Sequence, residues 1–202
     1  MQVLRHKLEN LTMTQTRTIS LRHENPLAVF LQQPETQPPC EYIAGEIIPK
    51  PMPKTRHARL QSKLIEAINK IVESQKVAYG FPELRFTFGD RSIVPDVAVL
   101  RWTAIPFDDQ GEPLDDITIA PNWMIEILSP GQSANRVTSN ILYALGFGTE
   151  VGWLIDPDDR SVLIFLPQQQ PIFCRGSDRL FGLQEIDLEL SAEELFSWLK
   201  MN

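Results

Sequence analysis

The passage from Trp123 to Ile155 limits the fold more than any other part of the chain. Trp123-Met124-Ile125-Glu126-Ile127-Leu128 is an apolar run of strand length, ended by Ser129-Pro130-Gly131. Ser133 or Asn135 can cap the helix that follows to about Phe147, with Val137, Ile141, Ala144 and Leu145 on its apolar face and Gly148 as its stop. Val151-Gly152-Trp153-Leu154-Ile155 then reads as a second strand, ended by Asp156-Pro157-Asp158. A strand, a helix and a strand in this order imply a right-handed crossover and some parallel pairing. The expected architecture is an α/β sandwich with a mixed sheet.

The flanking segments add to that unit. Tyr42–Ile48 reads as a hairpin turning near Gly45, and Pro49, Pro51 and Pro53 stop any further ladder. From Arg56 to about Gln75, Leu60, Leu64, Ile68, Ile71 and Val72 recur at helical spacing. Val77–Phe81, Leu84–Phe88 and Ile93–Leu100 read as strands, with a turn at Gly89-Asp90. Ser161–Leu166 pairs back on the 151–155 strand as a hairpin, and Ser191-Ala192-Glu193-Glu194 opens a short helix through Lys200 with a capping box. The order is helix, three strands, helix, strand, with a hairpin partner at each end.

Residues 1–39 read as a polar, proline-bearing extension, and 40–202 as the domain. Thr12, Thr14, Thr16 and Thr18 alternate there, and Gln33–Pro39 holds three prolines, so little apolar surface offsets the entropy of ordering. Met13 is an alternative start to Met1.

The formal charge of −7, from 26 acidic and 19 basic residues, argues mildly against a partner held purely by a positive field. The charge is unevenly spread. Residues 1–60 carry eight basic and five acidic side chains, whereas the remainder carries eleven against twenty-one. Pro49–Lys63 contains Lys50, Lys54, Arg56, Arg59 and Lys63 with no acid, which suits either a solvated face or a phosphate-binding one. Asp108, Asp109, Glu112, Asp115 and Asp116 mark an acidic loop. The two cysteines, Cys40 and Cys174, and the scattered His6, His23 and His57 exclude a structural zinc site by their spacing. No apolar run reaches the roughly 18–20 residues of a membrane span, and the first residues lack the core of a secretory signal, so a cytoplasmic protein without a membrane partner is expected.

Two acids have neighbours unsuited to solvent. Asp96 stands in Ile93-Val94-Pro95-Asp96-Val97-Ala98-Val99-Leu100, and Glu126 in Met124-Ile125-Glu126-Ile127-Leu128. Burying an isolated acid is costly unless it is paired or bound to metal. On adjacent strands the two would converge, and a carboxylate pair completed by water suits Mg²⁺. Ordinary in-and-out alternation along a half-exposed strand explains the same residues. The chain has no phosphate loop, nucleophile elbow or Ser/His/Asp order.

Val94-Pro95-Asp96-Val97-Ala98, the Trp123–Pro130 run and Gly152-Trp153-Leu154-Ile155-Asp156-Pro157, with Arg136–Leu142 and the entry segment Tyr42–His57, resemble the restriction-endonuclease-like proteins grouped as the Uma-two family. That family is a branch of the PD-(D/E)xK nuclease superfamily, and the resemblance covers about residues 40–200. It implies an αβββαβ core, a mixed sheet flanked by helices, and Asp96 and Glu126 as ligands of Mg²⁺, with Mn²⁺ as the alternative. The superfamily lysine, two residues after the Glu, is Leu128 here. The matching polar positions on the next helix are Arg136, suited to stabilising phosphate charge, and Asn140, suited to orienting water. Glu83, ranked ahead of Glu66, is the candidate third acid, and Gln132 could face the site. His57 reads as a helper or as a packing histidine. Lys50, Lys54, Arg56, Arg59 and Lys63 would hold the phosphate backbone. The implied activity is Mg²⁺-dependent endonucleolytic hydrolysis of DNA. The missing lysine keeps open a non-catalytic module that binds nucleic acid or protein on the same scaffold. A homodimer is expected by analogy with nucleases that cut both strands, with Trp123, Trp153 and Trp198 as candidate interface residues.

Overall fold

A computed structural model describes residues 25–201. The alternating threonines and the choice of start lie outside the described residues. In chain order the elements are α1 (Pro26–Leu31), β1 (Cys40–Ile43), β2 (Glu46–Pro49), α2 (Thr55–Val72), β3 (Ala78–Pro82), β4 (Phe86–Phe88), β5 (Arg91–Ile93) and β6 (Val97–Arg101). After a short 3₁₀ turn come β7 (Trp123–Ile127), α3 (Ala134–Leu145), β8 (Val151–Asp156), β9 (Ser161–Phe165), β10 (Ile172–Arg175), β11 (Arg179–Leu180), β12 (Leu190–Ser191) and α4 (Ala192–Ser197).

A six-stranded sheet in the order β10-β9-β8-β7-β6-β3 forms the centre. β7 and β8 pair in parallel, as their crossover through α3 requires, and every other pair in this sheet is antiparallel. Read along the chain, α2, β3, β6, β7, α3 and β8 give the αβββαβ order that the resemblance implies.

Strand alternation sends side chains to two opposed cores. On one face, Val97, Val99, Trp123, Ile125 and Ile127 pack with Leu60, Leu64, Ile68 and Val72 of α2 and with Leu195 and Phe196 of α4. Each of the four α2 residues is nearly or fully buried, which contributes about 1.5–3 kcal/mol per side chain relative to exposure. On the other face, Ala98, Leu100, Met124 and Leu154 meet Val137, Ile141 and Ala144 of α3 and Phe86, Phe88 and Ile93 of a smaller sheet, ordered β2-β1-β5-β4. Gly152 permits the approach of α3 to β8, because a Cβ there would lie 2.2 Å from Ile141 Cγ2.

Three features differ from the sequence reading. The run Ile93–Leu100 is not one strand. β5 ends at Ile93 in the small sheet and β6 begins at Val97 in the large one. Pro95 has no N–H to give a ladder, so Val94-Pro95-Asp96 serves as the step between sheets. Second, Pro26–Leu31 is helical within the segment read as an extension. Asn25 accepts from the Leu27 N–H as its N-cap, and Leu27 and Phe30 pack on Tyr42. Third, Trp123 and Trp153 are not available to a partner: both are fully buried, their rings edge to face with centroids 4.8 Å apart. The capping box at Ser191 and Glu194 is present, and α4 ends at Ser197. Among the described residues no helix is long and apolar enough to cross a membrane.

Candidate active site

The register of β6 on β7 pairs Val97 with Ile125 and Ala98 with Met124. One residue further it sets Asp96 opposite Glu126, on the same face of the sheet. Asp96 sits where the chain has just stepped between sheets, so its carboxylate reaches donors from several elements. Its Oδ2 accepts from the Ile127 N–H at 2.7 Å and from His57 Nε2 at 2.9 Å. Its Oδ1 accepts from Lys50 Nζ at 2.8 Å. The same ammonium lies 3.4 Å from Glu126 Oε2 and donates to the Val94 carbonyl at 2.6 Å. All three side chains are nearly enclosed, with 11% of Lys50, 5% of Asp96 and 4% of Glu126 exposed.

Lys50 arrives from the far end of the β1–β2 hairpin. Its backbone N–H donates to the Pro39 carbonyl at 2.9 Å, and Pro49 and Pro51 stiffen the chain on either side. His57 and Gln61 come from the first turns of α2, on the face that carries Leu60 and Leu64 further along. Gln61 Nε2 donates to the Asp96 carbonyl at 2.8 Å. A third buried acid, Glu41 of β1, accepts from the Val94 N–H at 2.9 Å, so Glu41 and Lys50 grip opposite ends of Val94. Glu41 Oε2 also takes a 3.4 Å bond from Asn140 Nδ2, whose Oδ1 accepts from Arg91.

Three buried acids around one lysine cannot all ionise alike. Burial pushes the Asp96 carboxyl up, but the Lys50 ammonium and the His57 bond outweigh that and hold it far below the usual carboxylate range. Burial drives Glu126 well above that range, offset only in part by Lys50 and reinforced by Asp96 and Glu41. Burial likewise raises Glu41. Burial pulls Lys50 down, yet the attraction of Glu126, Asp96 and Glu41 prevails and its pKa is raised. Asp96 is therefore the firmly ionised acid, and Glu126 the one that takes up a proton. Since Asp96 is an acceptor, His57 must carry its hydrogen on Nε2. Its Nδ1 is buried without a partner.

The donors fit a hard cation. Asp96 Oδ1, Glu126 Oε2 and the Val94 carbonyl converge on one point, all oxygen, and that point is held by an ammonium. Mg²⁺ and Mn²⁺ accept such a set when water and substrate oxygens complete it. Among the described residues no group of three or more His, Cys, Asp or Glu side chains is arranged to hold a metal unaided. A pocket of about 80 Å³ opens on the site, with Lys50, His57 and Asp96 lining it beside Pro38, Pro39, Pro51 and Pro53.

The other sequence candidates are dispersed. Lys50, one of the basic residues expected to hold the phosphate backbone, is buried between the two acids. Arg59 donates to the Trp198 carbonyl at 2.7 Å, and Lys63 pairs with Glu66 on an exposed face of α2, so neither Lys63 nor Glu66 joins the site. Lys54 and Arg56 are exposed, in the stretch of chain between the pocket-lining Pro53 and His57, with Arg56 bonded to Asp158 at 2.6 Å. Glu83 is an exposed rim residue with a positive φ of 45°; its N–H reaches the Asp96 carbonyl at 3.3 Å. Asn140 is buried but bonds to Glu41 and Arg91, while Arg136, one turn earlier, is exposed and bonds to none of the central acids. Gln132 is used locally, accepting from the Ser129 N–H. Glu41 and Gln61 were missed. The one signal for Glu41 was an acid beside the buried Tyr42 in a strand, and Gln61 differed from its neighbours only by lying on the apolar face of α2.

Fold and site together define a mixed-sheet α/β protein with an acid–lysine–histidine centre where the neighbouring antiparallel strands β6 and β7 meet. The chain belongs to the Uma2 family, described as "Putative restriction endonuclease", whose model matches residues 27–195. It is also similar, at 47% identity and a TM-score of 0.81, to a crystal structure described as a putative nuclease belonging to DUF820 from Anabaena variabilis ATCC 29413; the match covers 86% of this chain and 98% of that one. The comparison with curated proteins gave no match.

Proposed function

We propose that the protein is a divalent-metal-dependent nuclease that hydrolyses phosphodiester bonds in DNA. The observation that carries this reading is the convergence of Asp96 Oδ1, Glu126 Oε2 and the Val94 carbonyl on one cation position, in a chain of this family. Asp96 and Glu126 would hold Mg²⁺, or Mn²⁺, which supplies Lewis-acid polarisation of the phosphate and a lowered pKa for bound water. Lys50 is too firmly protonated to accept a proton, so its part is to stabilise charge developing on the phosphate oxygens. His57 is the other candidate proton acceptor: it lines the pocket, its Nε2 is engaged with Asp96, and its Nδ1 bonds to no protein group. Gln61 and the Ile127 N–H hold Asp96 in place. Glu41 and Arg91 lock Asn140, making it a support of the site rather than a group meeting water. Lys54 and Arg56, exposed in the stretch between the pocket-lining Pro53 and His57, would take the neighbouring phosphates, and Glu83 at the rim would orient water. Cutting both strands of a duplex would use two copies related by a two-fold axis.

A second reading has one observation in its favour. Lys50 already neutralises Asp96 without any metal, which suits a non-catalytic nucleic-acid-binding module. Incubation with supercoiled and single-stranded DNA plus Mg²⁺ or Mn²⁺, beside Asp96→Ala, separates the two. Cleavage by the wild type alone supports the nuclease. Persistent cleavage by the variant overturns the site, and retained DNA binding without cleavage by either protein selects the second reading.

A further inference from the structure

Both oxygens of Asp96 are in use. Oδ2 has two donors, the Ile127 N–H at 2.7 Å and His57 at 2.9 Å, leaving Oδ1 as the oxygen open to a cation. Lys50 holds that oxygen at 2.8 Å. A Mg²⁺ ion binds a carboxylate oxygen at about 2.0–2.1 Å. An ammonium left at its present distance from Oδ1 would face a divalent charge in a poorly screened interior, an arrangement of strong repulsion. Lysine and metal are alternatives there.

The lysine also has somewhere to go. Its backbone is fixed by Pro49, Pro51 and the bond to the Pro39 carbonyl, so the exchange falls to the flexible side chain. Lys50 lines the pocket with His57 and Asp96, so a side chain released from Oδ1 has open space to move into. The donor set suits the exchange as well: the oxygens that hold the ammonium, Asp96 Oδ1, Glu126 Oε2 and the Val94 carbonyl, are the ones a divalent ion would take.

We infer that Lys50 is an exchangeable cation of this site: its ammonium holds the place between Asp96 and Glu126 until a divalent ion displaces it, and the displaced ammonium then meets the entering phosphate. This rests on the metal-dependent reading above and adds to it that lysine and metal compete for one oxygen.

The test is calorimetric titration of Mn²⁺ into metal-free protein, without nucleic acid, for the wild type, Lys50→Met and Asp96→Asn. Competition predicts that K50M binds Mn²⁺ at least tenfold more tightly than the wild type, that D96N loses binding, and that K50M nonetheless loses cleavage. Equal or weaker binding by K50M, with wild-type binding intact, overturns the exchange and leaves the metal reading standing. Absence of binding by both proteins overturns the metal reading and the exchange with it. The wild type supplies a second measurement that does not depend on the folding of K50M: acetylation of Lys50 by N-hydroxysuccinimide acetate, read by mass spectrometry. Labelling should rise at least fivefold on adding Mg²⁺, and unchanged labelling overturns the exchange.

Discussion

Asp96 and Glu126 face each other across two strands, yet their proton affinities are displaced in opposite directions, and that opposition can be read in the stability of the metal-free protein. Asp96, depressed by Lys50 and His57, contributes stability above the ordinary carboxylate range that is lost as pH falls toward its lowered pKa. Glu126, raised by burial, does the reverse. Between its ordinary pKa and its raised one the unfolded chain has lost the proton that the folded site still binds, so stability declines as pH rises through that window. Glu126→Gln removes the decline. The variant should melt higher than the wild type at neutral pH in chelator, with the difference vanishing below the ordinary glutamate range; a thermal scan across pH checks it. His57 carries a separate expectation. His57→Gln should lower kcat by about 10²–10⁴, the usual worth of a positioned proton acceptor, while the Mn²⁺ affinity stays within a few-fold of wild type. A parallel loss of Mn²⁺ binding would instead make His57 a support of Asp96.

At the level of elements, periodicity was sufficient where a side chain's fate depends on its own strand or helix. The faces of α2 and α3 and the β7-α3-β8 crossover follow from spacing alone, and so does the standing of Asp96 and Glu126 as acids among apolar neighbours. The Ile93–Leu100 run was misread because an apolar string does not reveal that Pro95 divides it between two sheets. The burial of Lys50 was not legible for a related reason. Within Pro49–Lys63 the basic residues look equivalent along the chain, and only the return of the β1–β2 hairpin toward Val94, 44 residues on, singles one out for burial. The packing of α3 on β8 offers a check of its own. Gly152→Ala places a methyl 2.2 Å from Ile141 Cγ2, in a fully buried contact. The expected cost is about 1–3 kcal/mol by urea denaturation. In a double-mutant cycle, Ile141→Ala should recover part of it, because the two changes meet at one atom.

For the molecule as a whole, the net charge of −7 says little about nucleic acid, since charge is sorted by location. Three of the acids are buried around Lys50, and the run Asp108–Asp116 is exposed. Of the five basic residues from Lys50 to Lys63, Lys50 is buried against Asp96 and Glu126, Arg59 bonds the Trp198 carbonyl and Lys63 pairs with Glu66, which leaves Lys54 and Arg56, exposed between the pocket-lining Pro53 and His57. The Arg56–Asp158 pair is exposed on both sides, 54% and 65%, and such pairs are worth little, so a phosphate can take the guanidinium from it. DNA affinity in metal-free buffer should therefore fall for Lys54→Ala/Arg56→Ala. The slope of log affinity against log salt should become shallower by about 0.9 for each duplex phosphate that the variant no longer neutralises, or about 0.7 on a single strand. Lys63→Ala should leave both unchanged, and Asp158→Ala should tighten binding. Fluorescence anisotropy across a salt series measures all four proteins, and an equal slope for the wild type and the double variant would mean that DNA approaches from another side.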